Sequence, residues 1–230
     1  AGSDQSRHPL RQMLDGLVYV RTNRLVQGTI TLDLMAVLLA GSTALLPVYA
    51  HDIFHAGPKA LGILAAAMGT GAGLTALLFG FRPPQENVGN NMLLAVAAFG
   101  GATVLFGLTA FMPIAIALPV AFAALFACGV TDMYSVFVRQ TLIQVYTPDA
   151  MRGRVSSVSQ LTISASNELG EAESGFVAAL IGPVTTVVAG GIGAIIVVAL
   201  WSRLFPEIGL ARRFDAAENS GPVRGKENQA

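Results

Sequence analysis

The chain has 230 residues, of which 53% are hydrophobic and only 12% charged, and its formal net charge is zero. Soluble domains carry about twice that share of charge, so this composition argues against an ordinary water-soluble domain. The zero net charge argues against nucleic acid as a partner, because phosphate binding needs clustered basic residues. One cysteine, Cys128, cannot build a disulfide framework or a thiolate metal site.

The first predicted element is an amphipathic helix near the N-terminus. Apolar residues recur at helical spacing among several arginines at Leu10, Leu14, Leu17, Val18 and Leu25. Such a helix is expected to lie along the cytoplasmic membrane surface, and the alternative is a partly ordered linker. We therefore assign residues 1–27 to a cytoplasmic linker with an amphipathic helix. The sequence begins without a methionine or a signal peptide, so we expect further chain before Ala1.

Residues 28–207 are predicted to form six transmembrane helices, which makes the protein an all-α membrane protein. Runs without a charged residue lie between Lys59 and Arg82, Glu86 and Asp132, and Glu173 and Arg203. A helix needs about 20 apolar residues to cross the bilayer, and prolines at 113 and 183 divide the longer runs. The predicted spans are 28–50, 60–81, 90–111, 114–138, 155–180 and 184–205. The tail, 208–230, is polar and is predicted to be disordered in the cytoplasm.

The basic residues predict how these helices are oriented. With six crossings, both termini and the even-numbered loops lie on one side of the membrane. That side would hold Arg7, Arg11, Arg21, Arg24, Arg82, Arg139, Arg152, Arg154, Arg203, Arg212, Arg213, Arg224 and Lys226. The other side would hold only Lys59. Because basic residues are retained in the cytoplasm, both termini are predicted to be cytoplasmic.

The fifth predicted span carries a polar stripe that runs through an otherwise apolar helix. Its members fall at steps of three and four and include Gln160, Ser164, Asn167, Glu168 and Glu171. Residues at this spacing share one helix face. The stripe predicts a water-lined pathway for substrate or protons, since two carboxylates one turn apart repel when both are ionised. The alternative is a structural stripe that hydrogen-bonds to neighbouring helices.

Three further charged residues fall inside or at the edge of the predicted spans, where each charge is costly. Arg139 is expected near the cytoplasmic end of the fourth span, with its side chain reaching out to the surface. Asp132 lies deeper and is a candidate partner for an arginine on a neighbouring helix. A structural ion pair or gate is as well supported as a substrate contact. Asp33, early in the first span, either pairs similarly or caps its helix.

Residues 147–154 are predicted to form a compact, charged cytoplasmic loop. Asp149 can accept hydrogen bonds from turn N–H groups, while Arg152 and Arg154 can bind helix C-termini, Asp149 or anionic lipid. The alternative is that these charges only set the topology. The sequence has no phosphate-binding loop, zinc spacing or nucleophile elbow, so we predict no catalytic residue, cofactor or metal.

Several of these segments resemble the major facilitator superfamily. The resemblance rests on residues 147–157, residues 165–171, the segment 33–50 of the first span and the segment 200–206 at the end of the last. Its nearer match is the bacterial branch that contains the enterobactin exporter and the transmembrane secretion effectors. The resemblance implies a twelve-helix fold in two halves, in which the six predicted spans are helices 7–12.

The same resemblance implies alternating-access export of small molecules such as siderophores or drug-like compounds, by proton antiport, from the bacterial inner membrane. The implied partners are the small-molecule substrate, the lipid bilayer and a missing N-terminal six-helix half. The alternative function is a non-transporting, half-size membrane scaffold or assembly partner. An intramembrane enzyme that uses Glu168 and Glu171 is not expected, because the sequence suggests no substrate bond.

Overall fold

A computed structural model describes residues 9–211, which are helical almost throughout and contain no strand. The helices are α1 (Pro9–Thr22), α2 (Arg24–Leu39), α3 (Leu46–Val48), α4 (Gly57–Phe81), α5 (Val88–Leu108), α6 (Ile114–Tyr146), α7 (Asp149–Ile181), α8 (Pro183–Leu204) and α9 (Pro206–Leu210). The last of these takes in the first residues of the predicted tail, and residues 212–230 of that tail lie outside the described part of the chain.

Four of these helices are long and apolar enough to cross a membrane, judged by length and composition. They are α4, α5 with a short extension to Phe111, α6 and α8. These helices correspond to the second, third, fourth and sixth predicted spans, although α6 continues to Tyr146. The described chain is therefore that of a multi-pass helical membrane protein, and the full count of six crossings stays a prediction.

The first predicted span, 28–50, is not one continuous helix. Helix α2 ends at Leu39 after 16 residues, which is short of the length needed to cross the bilayer. A 3₁₀ turn, the short α3 and a π-helical turn then carry the chain to Ile53. Pro47 stands in the first turn of α3, where its missing N–H and fixed φ favour the start of a helix over its continuation.

The loop predicted at residues 147–154 is instead helical from Asp149 onward. Helix α7 begins directly after Pro148 and runs for 33 residues to Ile181. Proline has a restricted φ, and an acidic residue in the first turn interacts favourably with the helix N-terminus, so Asp149 stabilises a helix start there. Gly182 ends the helix with a φ of 88°, a conformation that L side chains rarely adopt.

The helices pack in a chain of neighbours rather than around one axis. Helix α4 packs on α6, α6 on α5, α5 on α8, α8 on α2, and α2 on α7, while α1 lies against α7. Direct packing of α6 on α2 and α7 is slight. The bundle therefore leaves space between α2, α6 and α7.

Glycine lets the apolar helices approach at backbone distance. A Cβ on Gly71 of α4 would overlap the carbonyl oxygen of Phe126 on α6, and one on Gly129 of α6 would overlap that of Met68. Small residues at crossing points allow this close packing of membrane helices. By contrast, Gly69 and Gly73 face open space within the described chain.

Helix α1 is amphipathic, and its apolar side faces outward. Leu14 is 60% exposed and Val18 61% exposed. Its opposite side is packed: Val20 is buried, and a Cβ on Gly16 would lie 2.9 Å from the carbonyl oxygen of Arg154 on α7. The exposed apolar side fits the predicted position on a membrane surface.

Candidate functional site

The polar stripe of α7 lies on the exposed part of the helix, and small residues hold the other side against the bundle. Stripe residues exposed in the structure are Gln160, Ser164, Asn167, Glu168 and Glu171. The packed side carries Ser159, Ser166, Gly170 and Ser174, all buried. A Cβ on Gly41 would lie 2.9 Å from the carbonyl oxygen of Gly170. This close contact with the broken end of α2 fixes the direction in which the stripe points.

The side of α7 away from the stripe is only partly packed. Leu161 and Leu169, which the sequence places opposite the stripe, are 56% and 60% exposed. The helix therefore has three sides, one packed, one apolar and exposed, and one polar and exposed. An exposed apolar side is expected to face lipid or another helix, and the polar side needs water or a partner.

Two stripe residues line a cavity of about 200 Å³ that five helical segments surround. Asn167 and Glu171 of α7 contribute its polar wall together with Asp132 of α6. The remaining lining residues are small or apolar and come from α2, the turn after it, α4 and α5: Val37, Ala40, Gly41, Met68 and Phe99. The structure thus brings Asp132 of α6 next to the stripe of α7, as the sequence alone did not.

The other stripe residues do not reach this cavity. Ser164 lies one turn and Gln160 two turns before Asn167, and Glu168 lies beside it on the same helix. None of the three lines the cavity. The side chain of Asn167 makes no hydrogen bond with any residue from 9 to 211. Within the same residues, Asp132, Glu168 and Glu171 make no ion pair. These groups are therefore available to a ligand, to water or to a further part of the protein.

A narrow cleft connects the region of the cavity to a buried ion pair. Asp132 lines both the cavity and the cleft, whereas Asp33 and Ser135 line only the cleft. Nη1 of Arg139 pairs there with Oδ2 of Asp33. The expectation that Arg139 reaches the membrane surface is wrong, since its side chain is 2% exposed. Asp33 on α2 holds it inward, where the paired charges compensate each other.

The ion pair joins two helices that otherwise touch little. Direct packing of α2 on α6 is slight, and Asp33 and Arg139 bridge the gap. Nε of Arg139 is buried and finds no hydrogen-bond partner in residues 9–211. Leaving a buried donor unpaired costs free energy, so the guanidinium of Arg139 is incompletely satisfied at this contact.

The charged residues at the start of α7 form a separate cluster at one end of the bundle. Nη1 of Arg152 lies 2.7 Å from Oδ1 of Asp149, and its Nε donates to the carbonyl oxygen of Gln144 at 2.8 Å. Nη1 of Arg154 lies 3.4 Å from Oδ2 of Asp15 on α1. These contacts tie α7 to the end of α6 and to α1, and they are distant from the cavity lining.

Metal binding finds no support in the described residues. No group of three or more histidine, cysteine, aspartate or glutamate side chains in residues 9–211 could hold a metal ion. Sequence reasoning missed the apolar cavity residues Val37, Met68 and Phe99. Each belongs to an apolar segment with no local signal that sets it apart from core residues.

Comparison with known proteins gives one family. The model of the transmembrane secretion effector family matches residues 6–217. The enterobactin exporter EntS of Escherichia coli O127:H6 (strain E2348/69) is 30% identical over 207 residues, covering 90% of this chain and 47% of the exporter. EntS of Shigella boydii serotype 18 is 31% identical with the same coverage. The chain spans about half the length of these relatives, and no solved structure matches it.

Proposed function

Because the chain belongs to the transmembrane secretion effector family, a branch of the major facilitator superfamily, we propose that it is the C-terminal half of a secondary active exporter of small molecules. The observation that supports this most is the cavity in which Asp132 of α6 meets Asn167 and Glu171 of α7. Charged groups inside a membrane are costly and mark substrate or proton pathways. The coverage of about half of each relative fits a second half of similar size.

In this proposal the stripe of α7 lines one wall of a central passage, and the missing six-helix half supplies the other. Gln160 and Ser164 extend the polar wall from Asn167 toward the start of α7, and Glu168 lies beside Asn167. Alternating access then requires the helices around the cavity to shift relative to one another. Proton coupling would use Glu168 or Glu171, since carboxylates inside the membrane mark the proton relays of transporters.

Asp33 and Arg139 are the proposed gating pair. They connect α2 to α6 immediately beside the cleft that Asp132 shares. Separation of the two helices would break this pair, and the vacant Nε of Arg139 offers a hydrogen bond to a new partner. Asp149, Arg152 and Arg154 would act at the cytoplasmic end, where they tie α7 to α6 and α1.

Transport by the joined protein tests the proposal. The chain, linked to the N-terminal half of its full-length protein, is reconstituted in proteoliposomes and assayed with a panel of siderophores and drug-like compounds under an imposed pH gradient. We expect uptake of at least one compound, and its loss in Glu171→Gln. The matched control is Glu173→Gln, which alters a carboxylate of the same helix that does not line the cavity. Absence of gradient-driven transport across the panel would contradict proton antiport.

The orientation of the chain in the bacterial inner membrane is part of the same proposal. Both termini are proposed to be cytoplasmic, with Arg152 inside and Lys59 outside. The single native cysteine, Cys128, is buried, so Lys59→Cys and Arg152→Cys can be labelled one at a time with a membrane-impermeant maleimide. In intact cells or spheroplasts only Lys59→Cys should react. Labelling of both from the same side would contradict the six-crossing topology, and with it a half-transporter.

A further inference from the structure

The cavity beside α7 is acidic. Asp132 and Glu171 both line it, and none of the lysines and arginines in residues 9–211 does. The buried cation closest in sequence to this region, Arg139, is already paired with Asp33. Asp132 and Glu171 therefore have no compensating charge within the described residues. Carboxylates without a compensating charge attract a cation and repel an anion, and the effect grows as less water surrounds them.

The other walls of the cavity are apolar and polarizable. Val37 and Ala40 supply aliphatic contacts from α2, and Met68 supplies a thioether from α4. Phe99 of α5 places an aromatic ring in the same cavity as the two carboxylates. Aromatic faces attract organic cations, and methionine adapts to irregular apolar ligands. The site thus combines negative charge with surfaces that suit a hydrocarbon body.

The volume limits the size of the ligand. The cavity measures about 200 Å³, below the roughly 300–1,000 Å³ of sites that enclose drug-sized compounds. A compact ligand, or one group of a larger compound, would fill it. Asn167 adds an amide that can donate or accept a hydrogen bond, which would orient a polar substituent.

We propose that this cavity binds small organic cations with an apolar body, such as aryl or alkyl quaternary ammonium compounds, between Glu171 and Asp132 on one side and Phe99 and Met68 on the other. This inference rests on the proposed function only in that it assigns a substrate class to the same cavity. It predicts that the cavity selects its ligand by charge. The family description and the names of the relatives state no ligand charge.

Binding of three ligands of matched shape tests the inference. Each ligand is a phenyl ring that carries one branched group. Phenyltrimethylammonium has one positive charge, tert-butylbenzene has no charge, and benzenesulfonate has one negative charge. Equilibrium dialysis against the full-length protein, with this chain joined to its N-terminal half in zwitterionic nanodiscs, should show at least tenfold tighter binding of the cation than of the neutral compound. The anion should not bind.

Variants locate the binding. Glu171→Gln should weaken cation binding at least tenfold, and Glu171→Lys should shift the preference toward benzenesulfonate. Both changes are at an exposed position and should leave folding intact, which size-exclusion chromatography checks. Glu173→Gln is the matched control and should bind like the unaltered protein. Equal binding of the three ligands, no binding of the cation, or unchanged binding in Glu171→Gln would overturn the inference.

The outcome separates this inference from the proposed function. Cation binding without transport of any compound would support the proposed cation site and contradict the proposed exporter function. Transport of anionic compounds, without cation binding that depends on Glu171, would support the exporter and overturn the cation site.

Discussion

Two groups of helices in this molecule differ in composition and in how they are held together. Helices α4, α5, α6 and α8 are apolar, long enough to cross the bilayer, and packed through glycine at backbone distance. Helices α2 and α7 are broken or polar, and they carry most of the charged residues of the membrane region. The difference shows that close packing is concentrated in the first group, whereas the second group brings more charged residues into the membrane region.

The two groups meet at few polar contacts. Asp33 of α2 pairs with Arg139 of α6, and Trp201 of α8 donates from Nε1 to Oγ1 of Thr31 on α2 at 3.0 Å. If the division is correct, changes at these contacts and within each group should have clearly different effects on stability and on activity. We expect four substitutions to differ in their effect on stability, with the largest loss at the buried ion pair and the smallest at the cavity.

The largest loss of stability is expected from Arg139→Met. Removing the guanidinium leaves Asp33 buried without a partner, which costs about 3–5 kcal/mol. Thermal unfolding of the detergent-solubilised chain measures the loss. The double variant Asp33→Leu with Arg139→Met should recover most of the stability, because no charge then stays buried. A double variant no more stable than the single one would show that the pair does not join the two groups as described.

A smaller loss is expected within the apolar group from Gly71→Ala. The added Cβ would overlap the carbonyl oxygen of Phe126, and such overpacking typically costs about 1–3 kcal/mol. The matched control on the same helix is Gly69→Ala, whose Cβ meets open space. It should unfold at or slightly above the temperature of the unaltered chain, since alanine favours helix more than glycine does. Equal effects at both positions would contradict the glycine contact between α4 and α6.

Thr31→Val should destabilise the chain by about 0.6 kcal/mol, the average measured for side-chain hydrogen bonds within membranes. Trp201 is the only tryptophan, so its fluorescence spectrum reports the loss of this hydrogen bond directly. Thr70→Val serves as the control, because its hydroxyl donates only within α4, to the carbonyl oxygen of Ala67. An unchanged spectrum in Thr31→Val would mean that α8 and α2 do not meet through this contact.

The smallest effect on stability is expected at the cavity itself. Glu171→Gln should change the free energy of unfolding by less than about 0.5 kcal/mol, because the side chain is exposed and makes no ion pair in the described chain. The same variant should lose transport in the joined protein. A large loss of stability would instead assign Glu171 a structural role. It would favour the alternative in which the stripe hydrogen-bonds to neighbouring helices.

Parts of the fold follow from local pattern. The four apolar helices could be predicted because bilayer length and the absence of charge are properties of a continuous segment. The polar stripe of α7 could be predicted for the same reason, since helical spacing alone puts Asn167 and Glu171 on one side. The break after Leu39 and the helical start at Asp149 were missed. Pro47 stands in the first turn of α3 and Pro148 directly before α7, so both features have a local cause in proline that the span assignment overlooked.

Helical periodicity and hydrophobic length were thus sufficient to establish a membrane protein with a polar face on its fifth predicted span. Only the tertiary structure decided that Asp132 faces that stripe, that Arg139 turns inward to Asp33, and that Phe99 and Met68 complete the cavity. The physical reason is that periodicity fixes directions within one helix, whereas a cavity is fixed by the crossing of several. Those crossings depend on contacts such as that of Gly41 with Gly170, between residues far apart in the chain.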